Sequence, residues 1–395
     1  MHAWNMPSIP VDVLYLILEH VDKASLLKIC LLNKVCCSCS QDILYRDIRI
    51  DDKRFIIKIC QSLNESTPLA KRVRSFEMTN CNHAVQRRNE QALRKSLQNM
   101  TCLRRLRLDD PNFNILDGCT FKLDSFSSAC FYSRALHRFL CSQPSLTDVS
   151  FGIFGHSHVS ELGQCLPNVT RITTHFSRLP HIIPNRPVSQ VVSYGSISHN
   201  ASVDLSIFTL STAPIQKLAI HYTHLYSAPL QLLASIFPSL THLTLNLAFR
   251  ARGTVSERFL FSYQSLNDEY YSINFIEWRE WIKKLLATLV TLRVFGVDFQ
   301  YGRPYSFEYL PFITQVSNRA PKLEYFTIFD GESHYWKQVR GEWVLSDDAG
   351  FLSAHAFTLG PGERSFPHSR IRRSNLSSLF FSLIQDVFLS GGLAL

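Results

Sequence analysis

The sequence predicts an α/β protein in which a short N-terminal segment of three helices precedes an irregular solenoid of strand–helix repeats with a parallel sheet. Two observations predict this fold. Apolar residues recur at helical spacing in the first fifty residues, and an apolar pattern at positions 1, 4 and 6 then recurs eight times. Of the 395 residues, 46% are hydrophobic and only 18% are charged. This composition excludes a wholly disordered chain, a collagen-like fibre and a long charged coiled coil.

The N-terminal segment, residues 9–50, is richer in apolar residues than the chain as a whole. Hydrophobic side chains make up 25 of its 42 residues, against 46% for the whole chain. Pro10 suits a helix start because its fixed φ fits the first turn. Apolar spacing then predicts helices over about 11–21, 24–32 and 35–44. Helices this short cannot bury so much apolar surface against one another, so the rest of the chain, a second copy or a partner protein must cover it.

Seventeen positions in this segment follow a known order and spacing. They are Ile9-Pro10, Asp12-Val13, Ile17-Leu18, Val21-Asp22, Ser25-Leu26-Leu27, Leu31-Leu32, Lys34 and Leu44-Tyr45-Arg46. The pattern resembles the F-box family. The most similar form is the short F-box of fungal proteins, which ends in a triplet like Leu44-Tyr45-Arg46 and leads into a strand. Ile9 and Val21 replace the usual leucines and keep an apolar side chain. The resemblance spans 42 of 395 residues.

The resemblance implies a docking module that packs on a Skp-type adaptor, which in turn links it to a cullin scaffold. The residues that it assigns to adaptor contact are Pro10, Val13, Ile17, Leu26, Leu27, Cys30 and Leu31. The alternative is that the three helices cap the repeats and bind no partner.

The repeated pattern after residue 50 predicts strands. Its first positions are Val73, Leu103, Leu146, Val169, Ile215, Leu240, Leu292 and Leu323. Positions 4 and 6 point to one side of a strand, and position 1 anchors the turn that enters it. Helical spacing in the gaps, as over 281–289, adds a helix to each unit. One strand and one helix per unit resembles an irregular leucine-rich repeat, and such units stack because none can bury its apolar face alone.

The spacing between units is uneven. The gap between Val169 and Ile215 has room for one more unit near Val188, while 109–131 and 249–274 are predicted as insertions. Residues 335–345 are predicted as two strands that turn near Gly341 and close the last repeat. The competing fold is a doubly wound α/β domain.

Side chains between the core positions of leucine-rich repeats face the concave surface, where such proteins usually bind protein ligands. The residues predicted to bind a protein target on this basis are Arg105, Arg107, Asp148, Arg171, Lys217, His242 and Tyr325.

Motifs for catalysis and metal binding are missing from the sequence. It has no P-loop, HExxH or GxSxG motif, and the cluster at Cys36, Cys37 and Cys39 lacks a second cysteine pair. We therefore expect no enzymatic activity, no cofactor and no metal. The formal charge of +9 is scattered in short clusters, which predicts no nucleic-acid binding. The apolar stretch 376–395 contains Asp386, so no membrane span is expected.

The N-terminus has no signal-peptide pattern, which predicts an intracellular protein, cytoplasmic or nuclear. Its eleven cysteines, all between Cys30 and Cys165, are accordingly predicted to be free thiols that pack as small apolar groups. The predicted domains are an F-box over 7-50, an irregular leucine-rich-repeat-like domain over 51-346 and a poorly ordered tail over 347-395. The predicted function is substrate recognition in a Skp-cullin-F-box type E3 ubiquitin ligase. The alternative is a non-catalytic repeat scaffold without a ligase role.

Overall fold

The computed structural model describes residues 9–79, 83–109, 113–129, 133–152, 165–194, 204–226, 228–247, 275–299, 309–329 and 333–346. The predicted insertion over 249–274 and the predicted tail over 347-395, with its apolar stretch, lie outside these residues. Within them, no helix is both long enough and apolar enough to cross a membrane.

The described residues form twelve α-helices and thirteen strands. The helices are α1 (Val11–Glu19), α2 (Lys23–Ile29), α3 (Lys34–Arg46), α4 (Ile56–Glu65), α5 (Thr67–Arg72), α6 (His83–Asn99), α7 (Arg134–Cys141), α8 (Leu179–Ile182), α9 (Tyr222–Tyr226), α10 (Leu230–Ile236), α11 (Phe275–Thr288) and α12 (Tyr309–Ser317). The strands are β1 (Asp47–Ile50), β2 (Ser75–Met78), β3 (Arg105–Leu108), β4 (Ser125–Ser128), β5 (Asp148–Phe151), β6 (Arg171–His175), β7 (Gln190–Tyr194), β8 (Lys217–His221), β9 (His242–Leu247), β10 (Val294–Phe299), β11 (Tyr325–Phe329), β12 (Ser333–Val339) and β13 (Glu342–Leu345).

The predicted α/β repeat fold is confirmed, with mostly parallel strands that pair in chain order. The described residues form two compact units divided between Ser125 and Phe126. In the first unit, β1, β2 and β3 are parallel neighbours. In the second unit, β5 to β11 are parallel neighbours and β12 and β13 follow as antiparallel strands. The first unit holds both the helices predicted over 7-50 and the first repeats, because β1 pairs with β2.

The repeated pattern produces the cores of both units. Its first-position side chains are all 0–2% exposed: Val73, Leu103, Leu146, Val169, Ile215, Leu240, Leu292 and Leu323. On β2, Phe76 and Met78 at positions 4 and 6 are fully buried. In most repeats, a backbone hydrogen bond links the residue after position 1 to the equivalent residue of the repeat before it. For example, the Thr241 N–H donates to the carbonyl of Gln216 at 2.8 Å. Buried first positions and this backbone bond together fix where each strand begins.

Two further repeats complete the pattern. The gap near Val188 contains β7, as its spacing allowed. The prediction of an insertion over 109–131 is wrong, because this stretch contains β4 with buried Leu123 and Phe126 at positions 1 and 4. The sixth position of this unit is Ser128, which is buried although it is polar. A serine at a core position interrupts the apolar pattern, so the repeat is not visible in the sequence.

The last two strands form the predicted hairpin. Strand β12 pairs antiparallel with both β11 and β13. Arg340 and Gly341 have φ of 53° and 87° and connect β12 to β13. Two consecutive positive φ values are typical of the type I′ turn, whose twist matches that of paired strands. The hairpin covers the edge that β11 would otherwise leave unpaired.

Gly152, which follows β5, is required by a close approach between two repeats. A Cβ atom there would lie 2.5 Å from the backbone Cα and O atoms of Ala129. Replacing Gly152 with alanine is expected to lower the free energy of unfolding by about 2–3 kcal/mol, because a backbone neighbour cannot rotate away. Urea denaturation measures the loss. Gly341→Asn is the control, since its Cβ meets nothing within 4 Å and Asn tolerates positive φ. A loss for Gly152→Ala no larger than for the control would contradict this account.

Two cysteines correct the prediction that all thiols are free. Cys141, the last residue of α7, forms a disulfide with Cys165, which lies 24 positions further along the chain. That separation is close to one repeat, so stacking places the two residues side by side. The free cysteines among the described residues are Cys30, Cys36, Cys37, Cys39, Cys60, Cys102 and Cys119. Of these, only Cys39 and Cys60 are fully buried, as predicted for packing thiols.

Candidate functional site

The N-terminal helices begin at capping residues that the sequence supplies. The Ser25 N–H donates to the carboxylate of Asp22 at 3.0 Å, which caps α2. The Cys36 N–H donates to the side-chain oxygen of Asn33 at 2.8 Å, which caps α3. Only four residues lie between the end of α2 at Ile29 and the start of α3 at Lys34, so the connection is a tight turn.

A small core holds these three helices together. Its buried residues are Leu18, Leu26, Leu27, Cys39 and Leu44. Helices α1 and α2 both pack on α3 to form it. Cys30 packs against this core, and its burial raises the pKa of the thiol to about 11. The Cys30 thiol is therefore neutral near pH 7 and acts as an apolar packing group.

Many apolar side chains of this segment remain outside the core. Those that are 42–70% exposed are Ile9, Val11, Val13, Leu16, Ile17, Leu31, Leu32 and Val35, which we call the N-terminal apolar surface. They are eight of the seventeen exposed large hydrophobic residues found in the described parts of the chain. Isolated exposed apolar residues are normal in folded proteins, so the concentration of eight of them within residues 9–35 distinguishes this segment from the rest of the described chain.

The seven residues predicted for adaptor contact divide into two groups. Pro10, Val13, Ile17 and Leu31 are exposed. Leu26 and Leu27 are only 1% and 6% exposed, and Cys30 is half-buried. Leu26 and Leu27 belong to the small core that α1, α2 and α3 form.

Five members of the N-terminal apolar surface were absent from the sequence-based set: Ile9, Val11, Leu16, Leu32 and Val35. One signal could have found Leu16. Val13, Leu16 and Ile17 lie at i, i+3 and i+4 on α1, which is the spacing of one helix face. Buried Leu18 lies on a different face of the same helix. Helix α1 is thus apolar on two sides, and one of them has no cover within the described residues.

Polar contacts fix the helices of this segment to one another. Arg46 at the end of α3 contacts Glu19 at the end of α1, with 2.5 Å between nitrogen and oxygen. Arg72 of α5 contacts Asp42 of α3 at 3.0 Å and donates to the Ser38 carbonyl at 2.6 Å. Exposed ion pairs of this kind contribute little stability. They join the end of α1 to the end of α3, and the end of α5 to the middle of α3.

The residues predicted to bind a target lie on strands, as expected. Arg105 and Arg107 are on β3 of the first unit. In the second unit, five others occupy the first position of their strands: Asp148, Arg171, Lys217, His242 and Tyr325. Neighbouring strands pair these positions in register, so the five residues, with Gln190 and Val294 between them, form one row. We call this row the strand-entry row.

Several charges on these strands already have partners. Arg105 contacts Asp47 at 2.8 Å, and Arg171 contacts Asp148 at 3.9 Å. Burial, together with the charge of Arg171, lowers the pKa of the Lys217 ammonium. The strand-entry row is thus a mixed polar surface and not a strongly basic one.

A second polar row was missed by sequence reasoning. His221, Asn246 and Asp298 are register partners on β8, β9 and β10, and all three are 1–6% exposed. Burial lowers the pKa of the His221 imidazole to about 4, so it is neutral near pH 7. Strand alternation could have found these residues. Each lies at the fifth position of its strand, and so on the same side as the first and third positions, which were predicted to face a target.

No protein-family model matches this chain. No curated protein matches it either. Among solved structures, the crystal structure of the yeast Rad7 and Elc1 complex aligns with 12% sequence identity over 73% of this chain and 87% of that chain. The TM-score of this alignment is 0.34, which is too low to establish a shared fold.

Proposed function

We propose that this chain is the substrate-recognition subunit of a Skp-cullin-F-box type E3 ubiquitin ligase. The N-terminal helices would dock on a Skp-type adaptor, and the adaptor would link the chain to a cullin. The observation that carries the proposal is the N-terminal apolar surface, on a segment whose sequence resembles an F-box.

The chemistry of this surface suits a folded protein partner. Its members are aliphatic and lie just before α1, on α1, on the connection between α2 and α3, and at the start of α3. The helix caps and the small core hold these elements in place. Full burial of one such side chain contributes about 1.5–3 kcal/mol. A few of them at the centre of an interface therefore provide enough free energy for stable binding.

The repeats would hold the target. The strand-entry row offers carboxylate, guanidinium, ammonium, imidazole and phenol groups in register, which suits a polypeptide with mixed charge. The chain would contribute proximity and no catalytic groups of its own, since bringing target and ligase together raises their effective concentration. A repeat scaffold without a ligase role would keep the strand-entry row but would have no use for the N-terminal apolar surface.

Hydrogen exchange on the full chain tests where an adaptor binds. With saturating purified Skp-type adaptor, amide exchange is expected to slow in α1, α2 and the turn before α3, because docking stabilises these short helices. Exchange in β5 to β11 should not change, and these strands serve as the internal control. Unchanged exchange in α1 and α2 would contradict the proposed docking site.

A further inference from the structure

Three side chains in the second unit converge in the manner of metal ligands. His137, Cys141 and Cys165 each offer one ligand atom, and all three atoms lie within 4.8 Å of one another. No other group of three or more histidine, cysteine or acidic side chains in the described parts of the chain converges in this way. The proposed ligase function does not use them.

The distances from the histidine ring agree with a tetrahedral zinc site. Zinc binds cysteine sulfur at about 2.3 Å and histidine nitrogen at about 2.0–2.1 Å, so the tetrahedral angle separates these two ligand atoms by about 3.5 Å. The Nε2 atom of His137 lies 3.5 Å from the Cys141 sulfur and 3.9 Å from the Cys165 sulfur. The edge from Nε2 to Cys141 therefore has the tetrahedral length. The edge to Cys165 is longer, and Nδ1 lies nearer to that sulfur at 3.7 Å. The edge between the two sulfurs requires the disulfide to open.

The backbone positions of these ligands are held independently of the disulfide. His137 and Cys141 are four residues apart on α7, so both lie on one helix face. Ser133 caps this helix by accepting from the Leu136 N–H at 3.2 Å. Arg186, which is 4% exposed, donates to the Cys165 carbonyl at 2.9 Å. The three ligands thus remain close together when the two sulfurs are not bonded to each other.

We propose that His137, Cys141 and Cys165 form a Zn²⁺ site in the reduced protein, and that the disulfide is the metal-free oxidised form of the same site. The reductant is a small thiol of the glutathione class. Two reductant thiols become one disulfide, while the sulfurs of Cys141 and Cys165 each gain an electron and a proton. Zn²⁺ then displaces these two protons, forms two Zn–S bonds and binds the neutral imidazole, with no further change of oxidation state.

The donor set favours zinc over other common cations. Two thiolates and one imidazole suit a borderline-soft ion, whereas Mg²⁺ and Ca²⁺ prefer oxygen ligands. Three protein ligands leave a fourth position for water or another small ligand. The sequence alone does not reveal these three ligands, because Cys165 is separated from Cys141 by a whole repeat and not by a short CxxC spacing.

Zinc content of the full chain tests the proposal. The protein would be purified without oxygen in the presence of a thiol reductant and passed through a desalting column with a weak chelator. Zinc per chain would then be measured by mass spectrometry of the metal. Wild type is expected to retain one zinc more than His137→Gln or Cys165→Ser. Competition with a zinc-binding dye measures the zinc affinity, which should fall at least about 10–100-fold in each variant. Losing a residue that only hydrogen-bonds to a metal ligand already causes a loss of about that size, and these variants lose a ligand itself.

Two controls make every outcome decisive. Cys102→Ser removes a free, half-buried thiol elsewhere and should retain the zinc content of wild type. His137→Gln changes a half-buried helix residue, so circular dichroism should show an intact fold. Wild type and His137→Gln with equal zinc content, while alkylation shows both thiols free, would overturn the proposal. So would a Cys141–Cys165 disulfide that excess dithiothreitol fails to open.

Discussion

Replacing Arg186 with methionine is expected to lower the free energy of unfolding of the second unit by about 3–5 kcal/mol. The guanidinium is buried and donates hydrogen bonds to four backbone carbonyls. The accepting carbonyls belong to Ile182 at 2.5 Å, Cys165 at 2.9 Å, and Leu166 and Pro184 at 3.0 Å. Methionine fills similar space but leaves these carbonyls without their donor. Each buried group left unsatisfied costs about 1–3 kcal/mol.

Chemical denaturation followed by circular dichroism measures this effect. Arg186→Lys should recover only part of the loss, because one ammonium cannot reach acceptors that a planar guanidinium spans. Arg138→Met is the matched control, since Arg138 is an exposed residue of α7 and its loss should change stability by less than about 0.5 kcal/mol. An Arg186→Met variant as stable as Arg138→Met would show that the buried network contributes nothing.

The role of Arg186 is an example of what the sequence could not predict. Apolar spacing identified the first core position of eight repeats, and all eight side chains are buried. A buried arginine gives no such signal, because its partners are backbone carbonyls brought close by the fold. Leu166 and Asn185, near this network, have φ of 65° and 62°, which no spacing rule would assign to them. Periodicity therefore predicts which strands form, whereas polar networks depend on the turns between them.

The N-terminal segment has a similar limit. Its composition predicted more apolar surface than three helices can bury, and eight large apolar residues of the segment are exposed. Spacing could not decide which residues point outwards, because α1 carries apolar side chains on more than one face. Leu26 and Leu27 fit the motif and yet lie in the small core. A motif fixes the positions along a helix, but only packing against α3 decides which of them remain accessible.

Replacing Ile17 with aspartate is expected to weaken adaptor binding about 100-fold. Ile17 is 50% exposed on α1, beside Val13 and Leu16 on the same face. The variant loses an apolar contact and places a carboxylate in an interface with no partner for it, which costs about 3 kcal/mol. Such a loss corresponds to about 100-fold in the dissociation constant. The fold should be unaffected, because Ile17 is not part of the buried core.

Leu210→Asp provides the matched control for this substitution. Leu210 is 52% exposed and lies at the end of a 3-10 helix in the second unit, away from the N-terminal segment in sequence. It has the same kind of side chain and nearly the same exposure as Ile17. The same change of charge at Leu210 should leave adaptor binding within about twofold of wild type, since exposed substitutions away from an interface have small effects.

The central claim is that the N-terminal apolar surface docks on a Skp-type adaptor. The most direct test is the dissociation constant between the purified full-length chain and purified adaptor, measured by titration calorimetry for wild type, Ile17→Asp and Leu210→Asp. We expect wild type and Leu210→Asp to bind with equal affinity and Ile17→Asp to bind about 100-fold more weakly. No binding by wild type, or equal binding by Ile17→Asp, would contradict the claim.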